Sequence, residues 1–87
     1  MKIYILDASR FTSKSAAHEH IKEVLSFPDY YGKNLDALDD CLSEMPPDVG
    51  VIMTNFEAAQ DMLGGYADGI LEDLEDVLGV KGRFMKV

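Results

Sequence analysis

Residues 27–42 read FPDYYGKNLDALDDCL, a loop rich in tyrosine and glycine that leads into a short helix. Asn34 is a preferred N-cap residue, so the pattern predicts a helix over about Leu35–Ser43. Asp36 then falls in the first turn, where the positive end of the helix dipole favours a carboxylate. Leucines recur on one side of this helix together with Cys41, and we expect that side to be buried.

Three aspartates lie on the other side of the predicted helix. Asp36, Asp39 and Asp40 are spaced i, i+3 and i+4, so their carboxylates cluster within one turn. Like charges at this spacing destabilise an isolated helix by about 0.2–0.5 kcal/mol per pair. A cluster that weakens its own helix indicates a target that requires negative charge.

Length and composition predict one domain over residues 1–87. A hydrophobic content of 47% argues against disorder. No apolar run approaches the roughly 20 residues of a membrane span. The N-terminal apolar run ends at Asp7 without a small-residue cleavage site, which favours a strand over a signal peptide. One cysteine, Cys41, excludes an internal disulfide or a paired-cysteine zinc site, and we expect a cytoplasmic location.

Charge is distributed unevenly along the chain. The formal net charge is −8, from 16 acidic and 8 basic residues. Residues 1–27 contain three acids and four bases, whereas residues 28–80 contain thirteen acids and one base, Lys33. Such a field repels nucleic acid and anionic membranes and attracts cationic partners. On composition alone, the alternative is a solvated surface that keeps the protein soluble.

Apolar patterns predict three strands separated by helices. Lys2–Asp7 (KIYILD) has almost no polar interruption, which is typical of a strand covered on both faces. Val49–Thr54 (VGVIMT) is a second strand of the buried type, and residues 82–87 (GRFMKV) form a third. Strands that alternate with helices imply parallel pairing. We predict an α/β, two-layer domain: a three-stranded parallel sheet with helices packed against it.

The first predicted helix covers residues 13–25, and Pro28 should prevent its continuation. Ser13 or Ser15 could cap its start. Its apolar stripe consists of Ala17, Ile21, Val24 and Leu25.

Two more helices follow the second strand. Thr54–Glu57 matches the capping-box spacing and should open a helix to about Leu63, which the glycines at 64–65 end. Residues 67–78 carry a clear apolar stripe, and Gly79 is placed for the C-cap of that helix.

The sequence gives little support for metal binding or catalysis. Hard cations require several oxygen ligands from a curved loop or from more than one element, and three aspartates on one convex helix face do not converge in this way. Carboxylate catalysis requires two acids facing across a cleft. We expect His18 and His20 at the surface or at the edge of the core, and no nucleophile or phosphate-loop motif is present. We therefore expect no enzyme activity, no cofactor and no metal.

Protein binding is the interpretation that remains. Exposed carboxylates beside tyrosines suit a basic partner, and tyrosine is enriched in binding hot spots. Of Tyr30 and Tyr31, we expect one side chain in the core and one at the surface.

The stretch from Phe27 to Leu42 closely resembles the signature of the barstar family of intracellular ribonuclease inhibitors. The shared pattern, P-[DE]-Y-Y-G-x-N-L-D-A-L-x-D-C-L, is long and specific, and a weaker likeness in element order covers the whole chain. The resemblance implies a three-stranded parallel sheet with helices packed against it. It also implies a function: plugging the active site of a barnase-like or other toxin ribonuclease, which gives the producing cell immunity.

The resemblance further implies which residues bind the partner. Family contact positions are matched by Tyr30, Gly32, Asn34, Leu35, Asp36 and Asp40, and Asp76 aligns with an acidic contact. Asp40 would occupy the position of an RNA phosphate and form charge-assisted hydrogen bonds to basic groups of the nuclease. Asp36 would pair with a basic residue nearby, Tyr30 would pack on the target, and Gly32 would allow close approach or a positive φ.

The chain departs from the family pattern at several positions. The family usually has tryptophan where this chain has Asp39, so a large flat contact is replaced by a third negative charge. Another aromatic aligns near Met45, a second acidic contact near Val80, and a second cysteine near Arg83. We count Asp39 among the partner-binding residues, and we expect barnase to bind weakly or not at all.

Two alternatives stay open. An interaction module that keeps the fold and has lost ribonuclease inhibition is favoured by Asp39 and Val80, and opposed by Tyr30, Asp36 and Asp40. A small carboxylate enzyme or metal binder is less favoured. The partner that we expect is a basic ribonuclease or toxin, with no nucleic acid or membrane partner and a monomeric free state.

Overall fold

The computed structural model describes residues 1–87 and contains three strands, four α-helices and two short 3-10 turns. In chain order these are β1 (Lys2–Asp7), a 3-10 turn (Ala8–Arg10), α1 (Lys14–Leu25), α2 (Leu35–Ser43), β2 (Val49–Thr54), α3 (Phe56–Leu63), α4 (Gly65–Val77), a 3-10 turn (Gly79–Lys81) and β3 (Phe84–Lys86).

The strands form one parallel sheet in the order β1-β2-β3. Val51 of the central strand pairs with Tyr4 on one side and Phe84 on the other. The predicted α/β class and parallel sheet are confirmed. The third strand is shorter than residues 82–87, because Gly82 has φ +69° and the strand begins only at Phe84.

The prediction that β1 is covered on both faces is wrong. Ile3 is 48% exposed and Ile5 is 50% exposed, whereas Leu6 is fully buried. β1 is an edge strand, and the helices pack against only one face of the sheet. The apolar run therefore reflects residues on an open face as well as residues in the core.

One core lies between the sheet and the helices. Its largest fully buried side chains include Leu6 and Met53 of the sheet, Ile21 of α1, Leu38 of α2 and Leu74 of α4. Each such side chain contributes about 1.5–3 kcal/mol of burial free energy. The helical stripes predicted from the sequence supply Ile21, Leu38 and Leu74.

Two predicted helix caps are wrong. Thr54 does not form a capping box, because its Oγ1 donates to the carbonyl of Leu6 at 3.5 Å and the N-cap of α3 is Asn55, with φ +58°. Gly79 is not the C-cap of α4: Leu78 ends the helix, and Gly79 begins a 3-10 turn. α4 also starts at Gly65, earlier than predicted. No helix combines the length and the apolar character needed to cross a membrane.

Candidate functional site

The loop between α1 and α2 directs one tyrosine inward and its neighbour outward. Tyr31 is buried, with its ring centroid 5.0 Å from that of Phe27 in an edge arrangement. Tyr30 is 84% exposed. The prediction of one tyrosine in and one out is confirmed, and the buried ring fixes the point from which Tyr30 projects.

Short local contacts shape the rest of this loop. The N–H of Tyr31 donates to the carbonyl of Pro28 at 3.0 Å. Lys33 forms an ion pair with Glu19 of α1. Lys33, not Gly32, has the positive φ, at +54°. A positive φ at Gly32 is therefore ruled out, and the glycine instead allows tight packing, since a Cβ there would lie 3.2 Å from the Cβ of Ala37.

Asn34 links the loop to α2 as predicted. Its Oδ1 accepts a hydrogen bond from the N–H of Ala37 at 2.8 Å, and its Nδ2 donates to the carbonyl of Gly32 at 3.3 Å. The helix covers Leu35–Ser43, which confirms the predicted bounds. Leu35 is half-buried, since it packs against Gly69 of α4.

The acidic side chains predicted to bind a partner are all exposed. They comprise Asp36, Asp39 and Asp40 on α2 and Asp76 on α4. α2 and α4 pack against each other, so the two helices present one continuous negative surface. We name the exposed side chains of the loop 28–34, α2 and α4 the acidic surface.

Asp73 of α4 is only partly exposed and lies among the carboxylates of this surface, and the sequence patterns do not mark it as a site residue. Burial raises the pKa of Asp73 to about 6, and the charges of Asp39, Asp76 and Asp36 add to that increase. Its Oδ2 is buried and has no hydrogen-bond partner. Carboxylates of α2 and α4 therefore converge around Asp73. Its position three residues after Ile70, on the buried stripe of α4, is the signal that could have identified it.

Asp40 lies near a different group. Burial raises the pKa of the Cys41 thiol, and the charges of Glu44 and Asp40 contribute. A groove of about 200 Å³ lies beside the C-terminal end of α2, and its lining includes Tyr30, Cys41 and Met45. Tyr30 and Cys41 thus line an open groove and Asp40 precedes Cys41 in α2, whereas the charges of Asp36 and Asp39 act on Asp73 of α4.

His18 lies beneath the acidic surface, and its prediction as a surface or core-edge residue is wrong. Its side chain has no exposed surface, and burial lowers its pKa below the usual 6.5. Nδ1 lies 2.6 Å from the hydroxyl of Tyr31, and Nε2 lies 2.6 Å from the hydroxyl of Tyr66. His18 is one residue from Ala17 and three from Ile21, which places it on the apolar stripe of α1. His20 is half-buried and accepts a hydrogen bond from the N–H of Asp7 at 3.2 Å.

No group of three or more His, Cys, Asp or Glu side chains is placed so that it could hold a metal ion. The carboxylates of Asp36, Asp39, Asp40 and Asp76 are exposed to solvent. What this arrangement can do chemically is accept hydrogen bonds and pair with cationic groups.

Comparison with known proteins gives two findings. The sequence model of the family described as Barstar (barnase inhibitor) matches residues 1–85. The chain belongs to the barstar family. It is also 40% identical over 79 residues to a Bacillus subtilis (strain 168) protein named "Putative ribonuclease inhibitor YrdF", a match that covers 87% of this chain and 85% of that protein. At the family level, both findings support the role of a non-enzymatic, barnase-inhibitor-like protein.

Three of the four positions at which we expect this barstar-family chain to depart from the family pattern lie on or near the acidic surface. Asp39 is exposed on α2, and Val80 is 75% exposed just after α4. Met45 is half-buried beside the groove. Arg83 instead stabilises the fold. Its Nε donates to the carbonyl of Val49 at 2.8 Å, and its Nη2 donates to the carbonyl of Pro46 at 2.7 Å.

Proposed function

We propose that this protein inhibits a basic ribonuclease by covering its active site with the acidic surface. The observation that carries the proposal is the continuous negative surface formed by the loop 28–34, α2 and α4, on a chain of the barstar family. A ribonuclease active site binds phosphate through cationic side chains, so an exposed carboxylate on a rigid helix can take the place of the phosphate. Inhibition requires no chemistry from the inhibitor.

In this proposal Asp40 is the phosphate mimic, and the neighbouring groups fix its register on the target. Asp36 pairs with a second cationic side chain of the nuclease. Tyr30 is 84% exposed and beside the groove, so it supplies apolar contact area around the charges. Gly32, Asn34 and Leu35 shape the loop and the start of α2, and Asp76 extends the contact onto α4.

Asp39 indicates a target that differs from the familiar one. At this position the carboxylate of Asp39 lies near Asp73, whose pKa is raised by burial and by the charges of Asp39, Asp76 and Asp36. Repulsion among these groups is relieved when a cation binds between them. The target that suits this surface therefore carries more positive charge opposite position 39 than a nuclease that binds an inhibitor with tryptophan there. Its contact surface at this point is also less apolar.

The proposal has consequences for the cell. The inhibitor acts as a single-domain monomer in the cytoplasm of the cell that makes the ribonuclease, where it protects RNA before the enzyme is secreted. Its negative field accelerates encounter with a basic protein and disfavours nucleic acid and anionic membranes as partners.

Capture from the native cell tests the proposal. The immobilised protein should retain a basic ribonuclease, and the purified pair should show loss of RNA cleavage at equimolar inhibitor. Asp40→Ala should release most of the captured enzyme, whereas Asp61→Ala, which alters an exposed aspartate on α3, should not. Failure of the unmodified protein to retain or inhibit any ribonuclease would contradict the proposal.

The alternative is an interaction module that has lost ribonuclease inhibition. The exposed Val80, where the family pattern has an acid, favours it because the negative surface ends early there. In that case capture should yield a basic protein without ribonuclease activity, and Asp40→Ala should still weaken its retention.

A further inference from the structure

A buried histidine connects two of the three segments that form the acidic surface. His18 of α1 has both ring nitrogens within 2.6 Å of a tyrosine hydroxyl, Tyr31 at Nδ1 and Tyr66 at Nε2. In a neutral imidazole one nitrogen donates and the other accepts, so one hydroxyl accepts from His18 and the other donates to it. Its hydrogen-bonding capacity is complete.

The two tyrosines belong to different segments. Tyr31 lies in the loop 28–34 and is the chain neighbour of the exposed Tyr30. Tyr66 lies in the first turn of α4, the helix that carries Asp73 and Asp76. α1 contributes no residue to the acidic surface, yet His18 bonds to two of the three segments that form it, the loop 28–34 and α4.

The other polar contacts of the loop are local or exposed. They include the hydrogen bond from the N–H of Tyr31 to Pro28, the two side-chain hydrogen bonds of Asn34, and the exposed ion pairs of Asp29 with Lys22 and of Lys33 with Glu19. Exposed pairs contribute little to stability. The buried ring and hydroxyl of Tyr31 are therefore the main anchor of the loop, and His18 lies 5.7 Å from that ring, centroid to centroid.

We propose that His18 is a positioning residue of the acidic surface, which holds the loop 28–34 and the start of α4 in one relative placement through its bonds to Tyr31 and Tyr66. The importance of this placement for inhibition rests on the proposed function. The coupling itself is a property of the free protein and can be measured without a partner.

Amide hydrogen exchange on the full chain tests the coupling. Three amides serve as reporters: Tyr31, bonded to Pro28; Ala67, bonded to Gly64; and Val51, bonded to Arg83, as the core reference. In Tyr66→Phe, exchange at the Tyr31 amide should rise about tenfold relative to the Val51 amide. In Tyr31→Phe, exchange at the Ala67 amide should rise in the same way.

Tyr4→Phe is the matched control. The side chain of Tyr4 packs on the core from β1, and its hydroxyl makes no hydrogen bond within the chain. This variant should leave the ratios at Tyr31 and Ala67 unchanged. If Tyr66→Phe shifts the Tyr31 ratio by less than about twofold, the two tyrosines act independently and the proposal is overturned.

The double variant gives a second, independent readout. If His18 is a bridge, the effects of Tyr31→Phe and Tyr66→Phe on amide exchange should be non-additive, because the first substitution already uncouples the segments. If the two tyrosines have independent packing roles, the effects should add. His18→Asn and His18→Gln, which can each reproduce one of the two bonds, should uncouple the segments as the tyrosine variants do. If the His18 variants do not fold, the tyrosine pair still decides.

These measurements separate the coupling from the proposed function. A protein that shows the reciprocal exchange effects and inhibits no ribonuclease would support His18 as the bridge and contradict the inhibitory role. A protein that inhibits a ribonuclease but shows no reciprocal exchange effects would support the inhibitory role and contradict the bridge. It would show that other contacts place the loop and α4.

Discussion

Leu35 lies directly against Gly69, so a side chain at the start of α2 contacts the backbone in the middle of α4. A Cβ at position 69 would come within 2.8 Å of Cδ1 of Leu35. This close approach brings the carboxylates of the two helices together around Asp73. Gly69 thus sets how tightly the acidic surface is assembled, although glycine is a poor helix former.

Gly69→Ala should change binding more than stability. Alanine improves helix propensity by about 1 kcal/mol, and the new methyl group must displace Leu35, so the two effects oppose each other. We expect the free energy of unfolding to stay within about 1 kcal/mol of the original, and inhibition to weaken about tenfold, or ~1.4 kcal/mol, because Leu35 moves. Denaturant titration and inhibition of RNA cleavage measure the two quantities.

Gly65→Ala is the control for this change. Gly65 is also in α4, and a Cβ there would meet no atom within 4 Å. Gly65→Ala should therefore leave inhibition of the ribonuclease unaffected. Equal inhibition by the Gly69 and Gly65 variants would show that the contact with Leu35 does not shape the binding surface.

Asp40→Ala should cost about 3–5 kcal/mol of binding free energy, because it leaves a buried cationic group of the nuclease without its partner. Asp61→Ala should cost nothing measurable, since the exposed side chain of Asp61 makes no hydrogen bond or ion pair. Calorimetric titration with the captured ribonuclease gives both values. Unchanged binding by Asp40→Ala would remove the phosphate-mimic role.

Association should slow steeply as salt is added. The net charge of −8 attracts a basic nuclease over distances beyond about 10 Å at low salt, and mobile ions screen that attraction. Stopped-flow measurement between low and physiological ionic strength should show a falling association rate with a nearly constant dissociation rate. A salt-independent association rate would indicate a contact that does not depend on the acidic surface.

The local parts of this structure were predictable from the sequence. α2 begins where Asn34 predicts, because the capping bond to Ala37 is made within four residues. The parallel sheet follows from strands that alternate with helices. The apolar run of Lys2–Asp7 wrongly predicts a strand covered on both faces, because the covering of a strand depends on the side on which distant helices pack.

The buried polar groups were not predictable in the same way. His18 and Asp73 lie on apolar stripes, and a stripe shows that a position faces inward without showing what it meets there. The partners of His18 are 13 and 48 residues away along the chain. Only the packing of α1 against the loop and α4 brings these groups together.

Barnase should bind this protein weakly or not at all, and Asp39→Trp should strengthen that binding by about tenfold or more, because it restores the large aromatic contact of the family pattern. Asp61→Trp adds the same ring away from α2 and should have no effect. Isothermal titration with barnase measures all three proteins. Nanomolar binding by the unmodified protein would overturn the idea that Asp39 redirects the target.

Asp73→Asn should stabilise the protein at neutral pH. The pKa of Asp73 is raised from 3.8 to about 6 by burial and by the carboxylates of Asp39, Asp76 and Asp36. The folded state therefore holds this proton more tightly than the unfolded state, and stability falls as pH rises through about 4 to 6. The full difference corresponds to about 3 kcal/mol, and because the side chain is partly exposed we expect a gain of about 1 kcal/mol at pH 7.

The pH profile of Asp73→Asn distinguishes this cause from a general effect of charge removal. Burial lowers the pKa values of His18 and His20 below 6.5, so their contribution to stability is lost as pH falls below that value. Asp73 has a raised pKa, so its contribution to stability increases as pH falls and offsets that loss. Between pH 7 and 5 the free energy of unfolding should therefore fall more steeply in Asp73→Asn than in the original protein. Asp61→Asn removes one exposed carboxylate and should keep the original slope of unfolding free energy against pH. If the profile of Asp73→Asn runs parallel to that of Asp61→Asn, the proton on Asp73 does not contribute to folding.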